Sequence, residues 1–129
     1  MKAETVFDVC WDAYKTCWEE AFVKGHVHAL DASAFKEHRW KPAVKPRAED
    51  FLADFQLAGE AVLARKDAHS RMILFRLYYC GQAEYEAARQ LLGLSENGWV
   101  RWTEEIRRLV GGELERRGVW PVSRYFGRE

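Results

Sequence analysis

The stretch from Ala83 to Val110 constrains the fold of this chain more than any other, because it predicts two helices joined by a tight turn. The turn falls at Gly93, since glycine accepts the left-handed backbone that ends many helices. Ser95 follows where a hydroxyl can cap the next helix by accepting a hydrogen bond from a free backbone N–H. Small and apolar residues recur at helical spacing on both sides of the turn: Ala87, Ala88, Leu91, Leu92, Trp99, Trp102 or Thr103, and Ile106. The stretch therefore predicts a helix-turn-helix.

This pattern leaves two functional interpretations open. Small residues on the first helix allow the close crossing that a DNA-binding helix-turn-helix needs. Antiparallel helix pairs in purely structural bundles show the same pattern. Periodicity alone therefore favours neither nucleic-acid recognition nor a structural role.

The charge balance is informative mainly through its distribution. The chain of 129 residues has a net charge of zero, which does not favour a dedicated nucleic-acid binder. Residues 1–64 hold 8 Lys and Arg against 11 Asp and Glu, whereas residues 65–129 hold 12 against 9. All of those 12 except Lys66 are Arg, whose planar fork donates bidentately to phosphates and base edges. The half with the predicted helix-turn-helix is the basic half, although a solvated helical surface would also carry Arg.

Further helices on both sides of this stretch predict an all-α multi-helix bundle. Thr5–Lys24 is apolar over most of its circumference, which is typical of a helix buried between other elements or against a partner. Glu49–Arg65 and Ala68–Cys80 follow with apolar stripes at helical spacing. The helix after Ser95 extends to about residue 117, with a bend or break expected at Gly111-Gly112.

Two segments are predicted to be non-helical for most of their length. Residues 26–47 form an irregular basic linker because Pro42 and Pro46 prevent a regular continuation, and Trp40 would anchor it if it contacts phosphates. The aromatic tail, residues 118–127, is expected to be extended because Pro121 restricts the residue before it. Its aromatic side chains either fold back on the core or form a partner surface. The predicted organisation is an N-terminal helix with its linker (1–48) and a helix-turn-helix domain with the tail (49–129).

Nothing in the sequence indicates catalysis or a cofactor. There is no glycine-rich phosphate loop, nucleophile elbow or HExxH motif, and the histidines match no zinc-binding spacing. The three cysteines are expected to be reduced, buried thiols, which is typical of a cytoplasmic protein. No apolar run is long enough to span a bilayer. We expect a cytoplasmic protein that is not an enzyme and needs neither cofactor nor metal.

Two motifs carry a resemblance to a known family. RMILFRLYY (Arg71 to Tyr79), a link at Gly81 and YEAARQLLGLS (Tyr85 to Ser95) resemble the C-terminal promoter-reading domain of bacterial sigma factors. The tail WPVSRYFG (Trp120 to Gly127) resembles that of sigma-like proteins common in proteobacterial genomes and mobile elements. The resemblance covers about residues 68–127. It implies that the second helix of the motif enters the major groove of promoter DNA and that the same domain docks on RNA polymerase.

The outer positions of that second helix supply the candidate DNA contacts. Arg101 suits guanine and Asn97 suits adenine, while Glu104 can accept from cytosine. Basic residues nearby would contact the backbone. The predicted DNA-binding residues are Ser95, Asn97, Arg101, Glu104, Arg107, Arg108 and Arg89. The first hypothesis is therefore a small transcription regulator, from a phage or mobile element, that binds promoter DNA beside RNA polymerase.

Two alternatives remain. Zero net charge and the outward Glu96 and Glu104 motivate a protein-binding adapter with little DNA affinity, such as an antiterminator or a protein that binds sigma factor or RNA polymerase. Its predicted contact residues are Trp11, Trp18, Trp120, Tyr125 and Phe126. The third hypothesis is a homodimer through the face of the first helix that carries Phe7, Trp11, Tyr14 and Trp18.

Overall fold

The computed structural model describes residues 1–24 and 46–126, and every regular element in these ranges is helical. The predicted all-α class is therefore confirmed for this part of the chain. The basic linker with Trp40 lies outside the described residues. Six α-helices are present in the two ranges: α1 (Ala3–Trp18), α2 (Pro46–Arg65), α3 (His69–Leu74), α4 (Tyr85–Leu92), α5 (Glu96–Arg116) and α6 (Ser123–Phe126). Two π-helical turns continue α1 and α3, namely Glu19–Lys24 and Phe75–Cys80.

Helix α5 lies at the centre, with α1 and α2 packed along it and against each other. Helices α1, α2, α5 and α3 with its π-helical turn contribute large side chains that are completely removed from solvent. Burial of one such side chain stabilises the fold by about 1.5–3 kcal/mol. The fully buried side chains are Val6, Phe7, Cys10, Phe51, Phe55, Leu63, Leu74, Phe75, Ile106, Val110 and Leu114. This single core includes residues from both sides of the boundary expected near residue 48, and that boundary falls inside α2.

Helix α3 and the π-helical turn that continues it together form the α3 segment, residues 69–80. Aromatic residues of α1 pack against the C-terminal end of this segment. The rings of Phe7 and Tyr79 meet edge to face with centroids 4.9 Å apart, a favoured arrangement for aromatic pairs. Trp11 Nε1 donates to the carbonyl of Tyr79 (3.1 Å), and the Tyr14 hydroxyl donates to the carbonyl of Cys80 (2.9 Å). These two hydrogen bonds satisfy carbonyls that the helix end would otherwise leave without an intrahelical partner.

Two sequence expectations about chain direction were wrong. Helix α5 continues through Gly111 and Gly112 without a break. Gly111 serves instead as a site of close approach, since a Cβ there would collide with the backbone carbonyl of Ala3. The tail is not extended throughout, because Ser123–Phe126 forms α6. The backbone N–H groups of Arg124 and Tyr125 donate three residues back, which turns the chain after the proline.

The tail returns to the core through its aromatic side chains. Tyr125 and Phe126 meet the ring of Phe51 edge to face, at 5.2 and 5.7 Å between centroids. The Tyr125 hydroxyl also donates to Asp54 Oδ2 (2.7 Å), so its polar end is satisfied while its ring is partly buried. Of the two alternatives for these aromatic residues, the structure therefore shows the packed one.

All three cysteines are free and buried, as the sequence predicted. Burial raises the pKa of the Cys10 and Cys80 thiols to about 12, which keeps them protonated. They act as small apolar core residues rather than as nucleophiles. Within the described ranges, no helix has both the length and the apolar character needed to cross a membrane.

Candidate nucleic-acid interface

The corner between α4 and α5 has the local geometry that its sequence predicts. Gly93 adopts a left-handed conformation (φ 67°, ψ 33°), and no atom lies near enough to obstruct a side chain there. This glycine is therefore required for its backbone angle and not for space. Ser95 Oγ accepts a hydrogen bond from the backbone N–H of Gly98 (3.0 Å), which caps α5.

The inner side of the corner is fixed by Trp99. Its ring meets Tyr78 edge to face at 4.9 Å between centroids and Tyr85 at 5.1 Å. Ala88 is fully buried, and α4 packs mainly against the π-helical turn Phe75–Cys80 rather than along α5. The apolar stripe expected on α4 is only partly correct, since Leu91 is 74% exposed. Helix α4 has only eight residues, and Ala88 is the one residue of this helix that is buried.

The opposite side of α5 presents an outward face to solvent, which we define by Glu96, Asn97, Val100, Arg101, Glu104 and Arg108. All six residues are exposed. Arg101 and Arg108 make no ion pair with any residue of ranges 1–24 and 46–126, and they lie about 10 Å apart along the helix axis. Two arginines and two glutamates give the outward face no net charge.

Arg107, which the sequence predicts to contact DNA, is paired with another residue of the same chain. Its Nε and Nη2 donate to the two carboxylate oxygens of Asp8 on α1, at 2.9 and 2.8 Å. This bidentate geometry is the strongest form of a guanidinium–carboxylate contact, and it raises the pKa of Arg107. Arg107 therefore points to α1 rather than across the outward face.

Arg89, another predicted contact, closes the corner itself. Its Nη1 donates to the carbonyl of Leu94 (2.9 Å) and its Nη2 to Glu86 (2.9 Å), while its guanidinium lies over the ring of Tyr85. Its Nε is buried and has no hydrogen-bond partner within the described residues. The arginine thus satisfies a carbonyl beyond the end of α4 and stabilises the turn.

The candidate protein-binding residues lie on two segments of the chain, α1 and the C-terminal tail. Trp11 is half-buried on α1, where Lys15 Nζ lies 4.0 Å from its ring centroid. Trp18 lines a shallow groove between α1 and α2. The other three are half-buried in the tail: Trp120, Tyr125 and Phe126. Sequence reasoning missed the exposure of Leu91, because a helical stripe alone does not reveal which of its positions remain uncovered.

The face of α1 proposed for a homodimer is largely occupied by the chain's own core. Phe7 and Tyr14 are buried by rings of α2 and of the α3 segment. Only Trp11 and Trp18 of that set retain exposed surface. A second copy would therefore find a smaller apolar surface than the sequence suggests.

The described residues hold no cluster of three or more side chains suited to a metal ion. Comparisons of the chain with protein-family models, with curated proteins and with solved structures find no match. The case for a function therefore depends on the geometry of the corner and of the outward face.

Proposed function

We propose that this chain is a small transcription regulator that acts in the cytoplasm and binds promoter DNA through a sigma-like helix-turn-helix formed by α4 and α5. One observation carries the proposal: Asn97, Arg101 and Arg108 are all exposed on the outward face of a helix whose other side is anchored by Trp99. A recognition helix needs free base-reading side chains on a rigidly held scaffold.

The roles of these residues follow from their chemistry and their surroundings. Arg101 is placed to donate bidentately to guanine, and Asn97 is suited to adenine. Arg108, which lies two turns further along the same face of α5, would contact a phosphate. Arg107 and Arg89 act as positioning residues, because their guanidinium groups are engaged by Asp8, Glu86 and the turn. RNA polymerase is the partner that the resemblance to sigma factors suggests.

The test is duplex binding by Arg101→Ala, measured by fluorescence anisotropy over a series of salt concentrations. We expect affinity to fall about tenfold or more, the effect of losing one bidentate base contact. The matched control is Lys66→Ala, which removes one exposed positive charge from the turn between α2 and α3 and should change affinity less than about twofold. Equal losses in the two variants, or no salt-dependent binding by the parent protein, would contradict the proposal.

A protein-binding adapter is the second candidate, and two observations favour it. The outward face has no net charge, which weakens attraction to phosphates. Leu91 and Val100 are 74% and 49% exposed at the corner, and exposed apolar side chains are typical of protein contacts. In this case the corner would engage RNA polymerase or another regulator with little DNA affinity.

The adapter predicts binding of purified RNA polymerase, measured by surface plasmon resonance, that Leu91→Arg abolishes. The control is Leu57→Arg on α2, where an equally apolar side chain is 56% exposed away from the corner. Polymerase binding without duplex affinity at moderate salt would decide for the adapter. Duplex binding that is lost in Arg101→Ala and kept in Leu91→Arg would decide for DNA recognition.

A further inference from the structure

The C-terminal end of α5 holds an arginine cluster around one buried carboxylate. Glu113 is only 4% exposed and accepts hydrogen bonds from Arg65 Nη2 (2.8 Å), Arg116 (2.6 and 3.2 Å) and Arg117 Nε (2.7 Å). The bonds from Arg116, then those from Arg117 and Arg65, lower the pKa of Glu113 to about 2. One negative charge is therefore surrounded by three positive charges.

Arg117 connects this cluster to an open cleft of about 480 Å³. Its Nε donates to Glu113, while its Nη groups donate to no residue that the structure describes. A guanidinium has five N–H donors, so four remain available. Because the bond to buried Glu113 fixes the position of the group, those donors are held in place without a ligand.

Two further arginines line the same cleft from other helices. Arg47 of α2 donates through Nη2 to the carbonyl of Arg124 (2.9 Å), and its guanidinium lies 5.2 Å from the ring centroid of Tyr125. The Arg124 side chain extends past Gly118, the left-handed residue that follows α5. Three guanidiniums from α2, α6 and the end of α5 therefore converge, and two of them are held by contacts within the protein.

Helix α2 also brings two negative charges to the cleft, one of which, Asp50, lies 3.9 Å from Arg47 Nη1. Asp50 and Asp54 line the cleft, and the hydroxyl of Tyr125 donates to Asp54. A ligand that matches both kinds of charge must bring anionic oxygens to the arginines and hydrogen-bond donors to the carboxylates. A bare polyanion such as a DNA backbone offers no such donors and would meet Asp50 and Asp54 unfavourably.

We propose that this cleft binds a phosphate monoester with neighbouring hydroxyl groups, such as a sugar phosphate or a nucleoside monophosphate. Guanidinium forks match phosphate geometry bidentately, and Arg117 supplies one through its Nη groups. Arg47 adds a positive charge beside it, with Nη2 donating to the carbonyl of Arg124 and Nη1 3.9 Å from Asp50. Asp50 and Asp54 accept from the hydroxyl groups. The site does not depend on the proposed DNA contact, since it lies at the other end of α5.

In the first arm of the test, the full chain is titrated at low salt, and binding is measured by calorimetry and by changes in amide chemical shifts. The probes are ribose 5-phosphate, inorganic phosphate and ribose. We expect saturable binding of ribose 5-phosphate. Inorganic phosphate should bind about tenfold more weakly because it lacks the hydroxyl groups that donate to the aspartates, and ribose should not bind because it lacks the charged group that the arginines bind. Equal binding of ribose 5-phosphate and inorganic phosphate overturns the role of the two aspartates, and no saturable binding overturns the site.

The second arm compares two neighbouring arginines. Arg116→Gln and Arg117→Gln each remove one positive charge and one partner of Glu113, but only Arg117 lines the cleft. We expect ribose 5-phosphate affinity to fall about tenfold or more in Arg117→Gln and less than about twofold in Arg116→Gln. Equal weakening would show a general charge effect and overturn the proposal. Arg47→Gln provides an independent variant, expected to behave like Arg117→Gln, should the latter fail to fold.

Discussion

The two halves of α5 have opposite surroundings although they belong to one continuous helix. Val100 in the N-terminal half is 49% exposed, whereas Val110 in the C-terminal half is fully buried. Contacts with α1 and α2 fall on the C-terminal half at Arg107, Gly111 and Glu113, while Val100 and Arg101 in the N-terminal half are exposed. The C-terminal half therefore secures the fold on most of its circumference, whereas the N-terminal half is anchored on one side by Trp99 and leaves its outward face available to a partner.

The charges follow the same division. Glutamates and arginines on the outward face make no ion pair with the part of the chain that the structure describes, but Arg107 pairs with Asp8 and Glu113 binds three arginines. Much of the arginine excess in residues 65–129 therefore serves internal contacts. The basic character of that half is a weaker indication of nucleic-acid binding than the sequence suggests.

The largest expected effect on the free energy of unfolding comes from comparing a buried and an exposed side chain of α5. Ile106→Ala should lower the free energy of unfolding by about 2–5 kcal/mol, because it removes a fully buried side chain and leaves a cavity. Val100→Ala should change it by no more than about 0.5 kcal/mol, as for other exposed positions. Urea unfolding followed by circular dichroism measures both. Similar losses would show that the outward face is covered.

The next effect compares adjacent glycines of the C-terminal half. Gly111→Ala should destabilise the protein by about 1–3 kcal/mol, because the added methyl group meets the Ala3 backbone. Gly112→Ala meets no atom and should stabilise it by about 0.5–1 kcal/mol through higher helix propensity. Thermal and urea unfolding of the pair give the sign directly. A stable Gly111→Ala protein would show that α1 does not approach α5 so closely.

The smallest effect tests the charged end of the helix. Glu113→Gln should lower stability at neutral pH by about 1–2 kcal/mol, a reduced value because its arginine partners remain partly solvated. The pKa of Glu113 is lowered from 4.5 to about 2, so its contribution is complete above pH 4.5 and lost as pH falls toward 2. The stability difference between parent and variant should therefore shrink over that window. A difference that is constant with pH contradicts the assignment.

Local signals in the sequence were sufficient for the corner. Gly93 and Ser95 predict the turn and the cap, since each acts within a few residues through backbone angle or hydrogen bonding. The helical class also follows from periodicity. These features require no knowledge of the tertiary arrangement.

The contacts that determine which side chains are free could not be predicted in this way. The Asp8–Arg107 pair joins residues 99 positions apart, and the role of Gly111 depends on Ala3. The cleft likewise combines Arg47, Arg117 and Arg124 from separate helices. Periodicity identifies one face of each helix, but it does not say which neighbour covers that face.

The long separation between α1 and α5 has a consequence during synthesis. The apolar side of α1 emerges from the ribosome about 100 residues before its partner on α5, a delay of about 5–20 s at ordinary translation rates. During that interval α1 lacks the helix against which it packs most extensively, although the aromatic partners of Phe7 and Trp11 on α2 and in Phe75–Cys80 are made earlier. The nascent chain thus presents an amphipathic segment suited to a chaperone until the last long helix is made.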